Sequence, residues 1–223
     1  MLIPSIDLMG GKIVQLVQGE KKALEFENFN YWIERFSQYP LVQLIDLDAA
    51  MGKGNNHELI AMICRKLPCQ VGGGIRDIQR AQELIALGAM RVIFGSALLQ
   101  NDAINTSLAK DAETSLGADR LTFAIDTRGG KIAIQGWKES TNIDPTEMIH
   151  TLDSYCSAFL YTHIDTEGTM QGFPLDLAKK LAEQTSKRLI VAGGIKSREE
   201  VNQLDVMGID AVVGMAIYTG AMQ

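Results

Sequence analysis

The chain has 223 residues, of which 46% are apolar and 22% charged, with a formal net charge of −6. That length and apolar content suit one large domain with a sizeable core and exclude a disordered or fibrous chain. The acidic balance speaks against nucleic-acid binding, and no apolar run approaches the ~20 residues of a membrane helix.

Short β-rich runs alternate with helical patterns along the whole length. Residues 2–7, 42–46, 69–72, 91–94, 121–126, 158–163, 189–192 and 211–213 read as eight strands. Between and after them, 31–37, 57–65, 77–87, 103–113, 145–154, 174–183, 198–207 and a short 217–222 read as helices. Small extra hairpins are expected after the first and fifth strands, at 12–18 and 131–135. Strict strand–helix alternation implies a parallel sheet, and eight such units close into a (β/α)8 TIM barrel. The apolar N-terminus lacks the basic start of a signal peptide. Cys64, Cys69 and Cys156 are few, odd in number and without zinc spacing, so they read as free or buried thiols in a reducing compartment. A cytoplasmic protein is expected.

The chain repeats itself. Ile6-Asp7-Leu8-Met9-Gly10-Gly11-Lys12-Ile13 resembles Ile125-Asp126-Thr127-Arg128-Gly129-Gly130-Lys131-Ile132. Asp48 matches Asp165, Gly73-Gly74-Ile75-Arg76 matches Gly193-Gly194-Ile195-Lys196, and Phe94-Gly95-Ser96-Ala97 matches Val213-Gly214-Met215-Ala216. Any one of these pairs would say only that the protein is α/β. Four in one order, at nearly constant offset, imply one barrel over 1–223 made of two fused half-barrels, approximately 1–118 and 119–223.

Active sites of such barrels lie at the C-terminal ends of the strands, where these landmarks fall. Asp7 ends strand one and Asp126 ends strand five, on opposite sides of the ring. A lone Asp there is as readily a turn cap as a catalyst; the symmetric pair favours an acid and a base facing one small substrate. The turns at Gly73, Gly74, Gly95 and Ser96, and at Gly193, Gly194 and Gly214, let backbone amides approach a ligand and cradle an anion. Each Gly turn alone is more often just a tight βα connection. Two matched cradles imply a small molecule with a phosphate at each end.

The landmarks resemble a known family. Ile3-Pro4-Ser5-Ile6-Asp7-Leu8, Leu16-Val17-Gln18-Gly19, Asp46-Leu47-Asp48, Val71-Gly72-Gly73-Gly74-Ile75-Arg76, Ile125-Asp126, Gly136-Trp137, Gly168-Thr169 and Gly193-Gly194 are similar, as a set, to the half-barrel isomerases of histidine biosynthesis. These are the phosphoribosylformimino-aminoimidazole-carboxamide ribotide isomerases. The resemblance spans nearly the whole chain and implies an Amadori rearrangement, aldose aminosugar to ketose aminosugar, with no metal and no organic cofactor. It implies Asp7 as general base at C2 and Asp126 as general acid at the ring oxygen. Thr162 would assist the second carboxyl, Trp137 would stack on an imidazole, and Asp48 and His163 would stand beside the substrate. A monomer is expected.

The sequence also departs from that family. Gln15 stands where Arg is usual, Gly10 where Asp is common, and His163 where an acid is common. Thr166-Glu167-Gly168-Thr169 replaces Arg/Lys-Asp-Gly-Thr, and Gly214-Met215-Ala216 replaces Gly-Arg-Ala. Lys12, Arg76, Arg128 or Lys196 would have to supply charge. His163 reads first as a hydrogen-bonded polar residue and second as a further catalytic group. Three readings stand at this point: the isomerase, a paralogue acting on another phosphosugar such as the related cyclase, and a phosphate-binding barrel without turnover.

Overall fold

The computed structural model describes residues 1–222. Eight parallel strands run β1 Leu2–Met9, β2 Val42–Asp46, β3 Cys69–Gly72, β4 Arg91–Phe94, β5 Leu121–Arg128, β6 Ala158–His163, β7 Arg188–Ala192 and β8 Asp210–Val213. Each pairs with the next, and β1 closes the ring on β8 with Ile3 opposite Val212. The closed (β/α)8 barrel is the architecture that the strand–helix alternation predicts.

Strand periodicity builds two cores. On β5, Leu121, Phe123 and Ile125 point outward, while Thr122, Ala124 and Asp126 point inward. On β1, Ile3, Ser5 and Asp7 are the inward set. The outward residues join the large shell between strands and helices, which includes Phe94, Phe123 and Phe159, all fully buried. The inward residues Ile3, Ile93, Leu160, Ile190, Ala192 and Val212 plug the barrel axis. That plug forms a floor, and the next inward positions, Asp7 and Asp126 among them, face the open end above it.

The helices are α1 Phe29–Phe36, α2 His57–Cys64, α3 Ile78–Ala86, α4 Thr106–Leu116, α5 Pro145–Leu152, α6 Leu175–Ala182, α7 Arg198–Val206 and a single turn, α8 Met215–Tyr218. Asn28, Asp77, Asn105, Asp144 and Ser197 cap their helices by accepting from backbone amides of the first turn. The fourth helix starts three residues later than the expected 103. Leu99–Gln100 and Ala103–Ile104 form a tiny hairpin instead, turned by Asn101 and Asp102 at φ 52° and 53°, and Asn105 then caps. The last helix is also shifted toward the N-terminus, ending at Tyr218 rather than continuing to 222. Gly220 turns the chain at φ 78° so that Met222 is buried.

Both expected hairpins are present. Gly10-Gly11 and Gly129-Gly130 are two-residue turns with both central φ positive, the geometry that matches strand twist. The first hairpin, Lys12–Val17 with Lys21–Phe26, is longer than the second, Lys131–Ile134 with Glu139–Ser140. All three cysteines are buried and free. No described helix is long and apolar enough to cross a membrane.

Candidate active site

The open end of the barrel holds one cavity of about 1190 Å³, and both Asp7 and Asp126 line it. They sit at the third inward positions of diametrically opposed strands, so alternation alone aims them at each other. Their immediate partners differ. The Ser5 hydroxyl donates to Asp7 Oδ1 at 2.8 Å. Burial raises the Asp7 carboxyl to about 6, and the Ser5 bond only partly opposes that. Asp126 Oδ2 accepts from the Trp137 indole N–H at 2.9 Å, and the Thr162 side chain also bonds to this carboxyl. Burial raises Asp126 too, against the pull of those two donors.

A third carboxyl shares the cavity. Glu167 lies in the loop after β6, and its side chain is partly buried. Burial, reinforced by the nearby charges of Asp7 and Asp126, raises it to about 8. At neutral pH it therefore holds a proton. The sequence marks Glu167 only as a departure in a family motif; its burial beside two aspartates comes from loops meeting across the mouth.

Three loops make that meeting. Gln18 N donates to Glu167 O at 3.0 Å, and Gln18 Nε2 donates to Asp165 O at 2.9 Å. Gly168, at φ 71°, passes so close to Leu16 O that any Cβ there would overlap the carbonyl. Gly19 lies against the indole of Trp137: a Cβ on it would stand 2.6 Å from the ring. Arg128 reaches back to Gln18 O at 3.4 Å. Trp137 thus closes over Gly19 and holds Asp126, so its indole is a carboxyl donor as well as a candidate stacking surface.

The cradles are built alike. A Cβ on Gly73 would overlap Asp46 O, and one on Gly193 would overlap His163 O. A Cβ on Gly74 would stand 2.5 Å from Ala49 O, and one on Gly194 2.7 Å from Thr166 O. In both halves only glycine lets the turn pack against the preceding βα loop. Gly73, Gly74, Gly95, Ser96, Gly193, Gly194 and Gly214 all line the cavity. Ser96 begins a single 3-10 turn and exposes its hydroxyl.

Two of the expected substrate contacts stand outside the cavity wall. Asp48 is absent from the cavity wall; it accepts from Gly10 N at 2.7 Å and from Asn56 Nδ2 at 2.9 Å. His163 also stands outside it, with Nδ1 2.8 Å from Thr166 Oγ1 and Nε2 3.7 Å from Asp165. Asp48 is held there because the amide of a tight turn needs an acceptor, and His163 because the hydroxyl and carboxylate of its own loop engage both ring nitrogens. Among the cations named from sequence, Arg76 and Arg128 line the cavity, as do Lys53 and Lys138. Lys12 instead pairs with Glu25 and Glu27, and Lys196 reaches Gln171 O at 3.4 Å.

A closed barrel with two opposed acids and matched glycine turns around one open cavity defines an α/β-barrel enzyme class that acts on small molecules. The chain belongs to the family described as Histidine biosynthesis protein, which it matches over residues 1–223. It is 37% identical over 230 residues to a protein of Methanocaldococcus jannaschii, covering 99% of this chain and 94% of that one. It is 35% identical to a protein of Methanococcus voltae, covering 97% and 92%, and 35% identical to one of Archaeoglobus fulgidus, covering 98% and 92%. All three relatives are named 1-(5-phosphoribosyl)-5-((5-phosphoribosylamino)methylideneamino)imidazole-4-carboxamide isomerase.

Proposed function

We propose that this chain catalyses the isomerisation for which those relatives are named, an aldose-to-ketose rearrangement of a bis-phosphorylated aminoimidazole carboxamide ribotide in histidine biosynthesis. The observation that carries this reading is the pair of carboxyls on facing walls of one cavity, with different partners and a cradle beyond each.

The chemistry follows from those partners. Asp126, raised by burial, gives its proton to the ribose ring oxygen; the C1–O bond breaks as the amino nitrogen supplies its electron pair. Asp7, ionised above about pH 6, removes the C2 proton from the resulting imine. The enol-amine then takes a proton at C1 from the Asp7 carboxyl and gives its C2 hydroxyl proton to the Asp126 carboxylate, leaving a carbonyl at C2 and both carboxyls as they began. Thr162 and Trp137 position Asp126. Glu167, protonated at neutral pH, adds no negative charge beside the base. The amides at Gly73, Gly74 and Gly95 with the Ser96 hydroxyl hold one phosphate; those at Gly193, Gly194 and Gly214 hold the other. The loops that meet over the mouth keep the open-chain intermediate from water.

On this reading 1–223 work as one unit, a cytosolic monomer in which 1–118 and 119–223 each supply one carboxyl and one cradle. Following conversion of the purified ribotide by the wild-type chain tests the proposal. Formation of the ketose isomer is expected, and no conversion at millimolar substrate would end it.

A further inference from the structure

The two acids are supported differently. Asp126 takes its side-chain donors from Trp137 and Thr162. Asp7 takes one from Ser5, whose hydroxyl donates to Oδ1 at 2.8 Å, and Ser5 is itself held. Strand β8 ends at Val213, opposite Pro4, so its ladder with β1 stops one residue short of Ser5. The Tyr218 hydroxyl takes over there and donates to Ser5 O at 3.0 Å. Tyr218 closes α8, the turn that Gly214 opens, and its amide bonds back to Gly214 O at 3.3 Å. The ring is clamped, its centroid 4.2 Å from that of Trp32 and 5.2 Å from that of Phe26, on which it stacks. Burial, reinforced by the nearby Asp7 charge, holds the phenol well above its ordinary range, so it stays a donor.

The other half has neither group. At the offset that pairs Asp7 with Asp126 and Gly214 with Gly95, Ser5 is matched by Ala124 and Tyr218 by Leu99. A role in building the frame would call for the hydroxyl in both halves, since β4 also ends, at Phe94 opposite Phe123, one residue short of Ala124. Both hydroxyls occur instead on the side of the base alone. Resting on the isomerase reading above, we propose that Tyr218 is a positioning residue for that base. Its hydroxyl fixes the Ser5 peptide, Ser5 fixes the Asp7 carboxylate, and the turn that carries Tyr218 also carries the Gly214 amide of one cradle. The same short turn thus joins the seating of a substrate phosphate to the alignment of the group that removes the C2 proton.

The test follows the Asp7 carboxyl by carbon-13 NMR as pH is raised. Glu167 and Asp126 also face Asp7 across the cavity, and neither changes in the variants used. Ser5→Ala removes a donor to the carboxylate, so the midpoint of the Asp7 titration is expected to rise from about 6 by about one pH unit. Tyr218→Phe keeps the clamped ring and loses only the hydroxyl; a rise of about half a pH unit is expected. With Ser5→Ala already in place, adding Tyr218→Phe should move the midpoint no more than about 0.2 pH unit further. In turnover of the ribotide, Tyr218→Phe is expected to lower kcat about 5-fold with KM within about 2-fold. An unmoved midpoint in Tyr218→Phe, with only the melting temperature lowered, would make the hydroxyl structural and overturn the proposal. So would full additivity in the double variant, or a loss confined to KM. An inert wild-type chain would end the isomerase reading alone, and the titrations would still decide whether Tyr218 holds Asp7.

Discussion

The first and second halves of this barrel agree in backbone and disagree in side chains, and the disagreement falls where chemistry needs it. Gly10 N donates to Asp48 at 2.7 Å and Gly129 N to Asp165 at 2.8 Å. Gly73 and Gly193 press on the carbonyls of Asp46 and His163. Around the acids the likeness stops. Ser5 serves Asp7, whereas the corresponding position beside Asp126 is Ala124, and Trp137 and Thr162 serve Asp126 in its place. Two carboxyls in identical surroundings would have the same intrinsic affinity for a proton. A repeated frame gives two facing acids; unlike neighbours set their proton affinities apart, as the proposed base and acid require.

The largest effects should come from removing either acid. Asp7→Asn and Asp126→Asn are each expected to lower kcat by about 10³–10⁴ while the fold persists, as steady-state assay and thermal melting would read. In the wild type, kcat/KM should fall about tenfold per unit as pH drops below about 6, because the Asp7 base becomes protonated there. A plateau extending to about pH 4.5 would remove Asp7 from that role.

Next in size are the matched glycines. Gly73 has φ 100° and Gly193 φ 116°, and each lies against a backbone carbonyl that cannot yield as a side chain would. Gly73→Ala and Gly193→Ala are each expected to cost about 2–4 kcal/mol in urea unfolding, and by similar amounts. If one were neutral, the structural equivalence of the halves would not extend to their energetics.

Much of this was legible in the chain. Period-two alternation on 2–7 and 121–126 places both acids inward, and the offset of about 119 residues pairs the landmarks before any coordinates. The start of the fourth helix was not legible, because Ala103 and Ile104 are as apolar as a helix start yet are drawn into a hairpin with Leu99 and Gln100. Asp48 and His163 stand outside the cavity wall because polar residues at strand ends serve the loops beside them as readily as ligands, Asp48 a turn amide and His163 the Thr166 hydroxyl. Glu167 and Gln15 were legible only as departures. Glu167 meets Asp7 and Asp126, and Gln15 meets Gly214, through contacts between segments far apart in the chain.

Glu167 breaks the symmetry outright, since Ala50 stands at the corresponding place in the first half. Its folded value near 8 lies above the ordinary 4.5, so folding favours the protonated form. The penalty is absent below about pH 4.5, grows as pH rises and is complete above about 8. Glu167→Gln removes it. A melting-temperature gain of about 3–6 °C is expected at about pH 8, with none at about pH 4. An equal gain at both pH values would mean that the carboxyl is not titrating against burial and its two neighbours.

The smallest effects belong to Asp48 and Asp165. Each accepts one amide proton from a Gly-Gly turn, and Asp165 has a side chain 43% exposed. Water replaces part of such a bond, so Asp165→Asn should cost under about 1 kcal/mol. Asp48 also holds Asn56 Nδ2, and Asn56 in turn accepts from Gly11 N and bonds to the buried Asp46. Asp48→Asn should therefore cost slightly more, about 1–2 kcal/mol, and leave kcat within about 3-fold because no part of Asp48 reaches the cavity. Urea unfolding and turnover of the two variants separate scaffold from site. A fall in kcat of about 100-fold in Asp48→Asn at unchanged stability would return Asp48 to the substrate contacts that its place at a strand end first suggests.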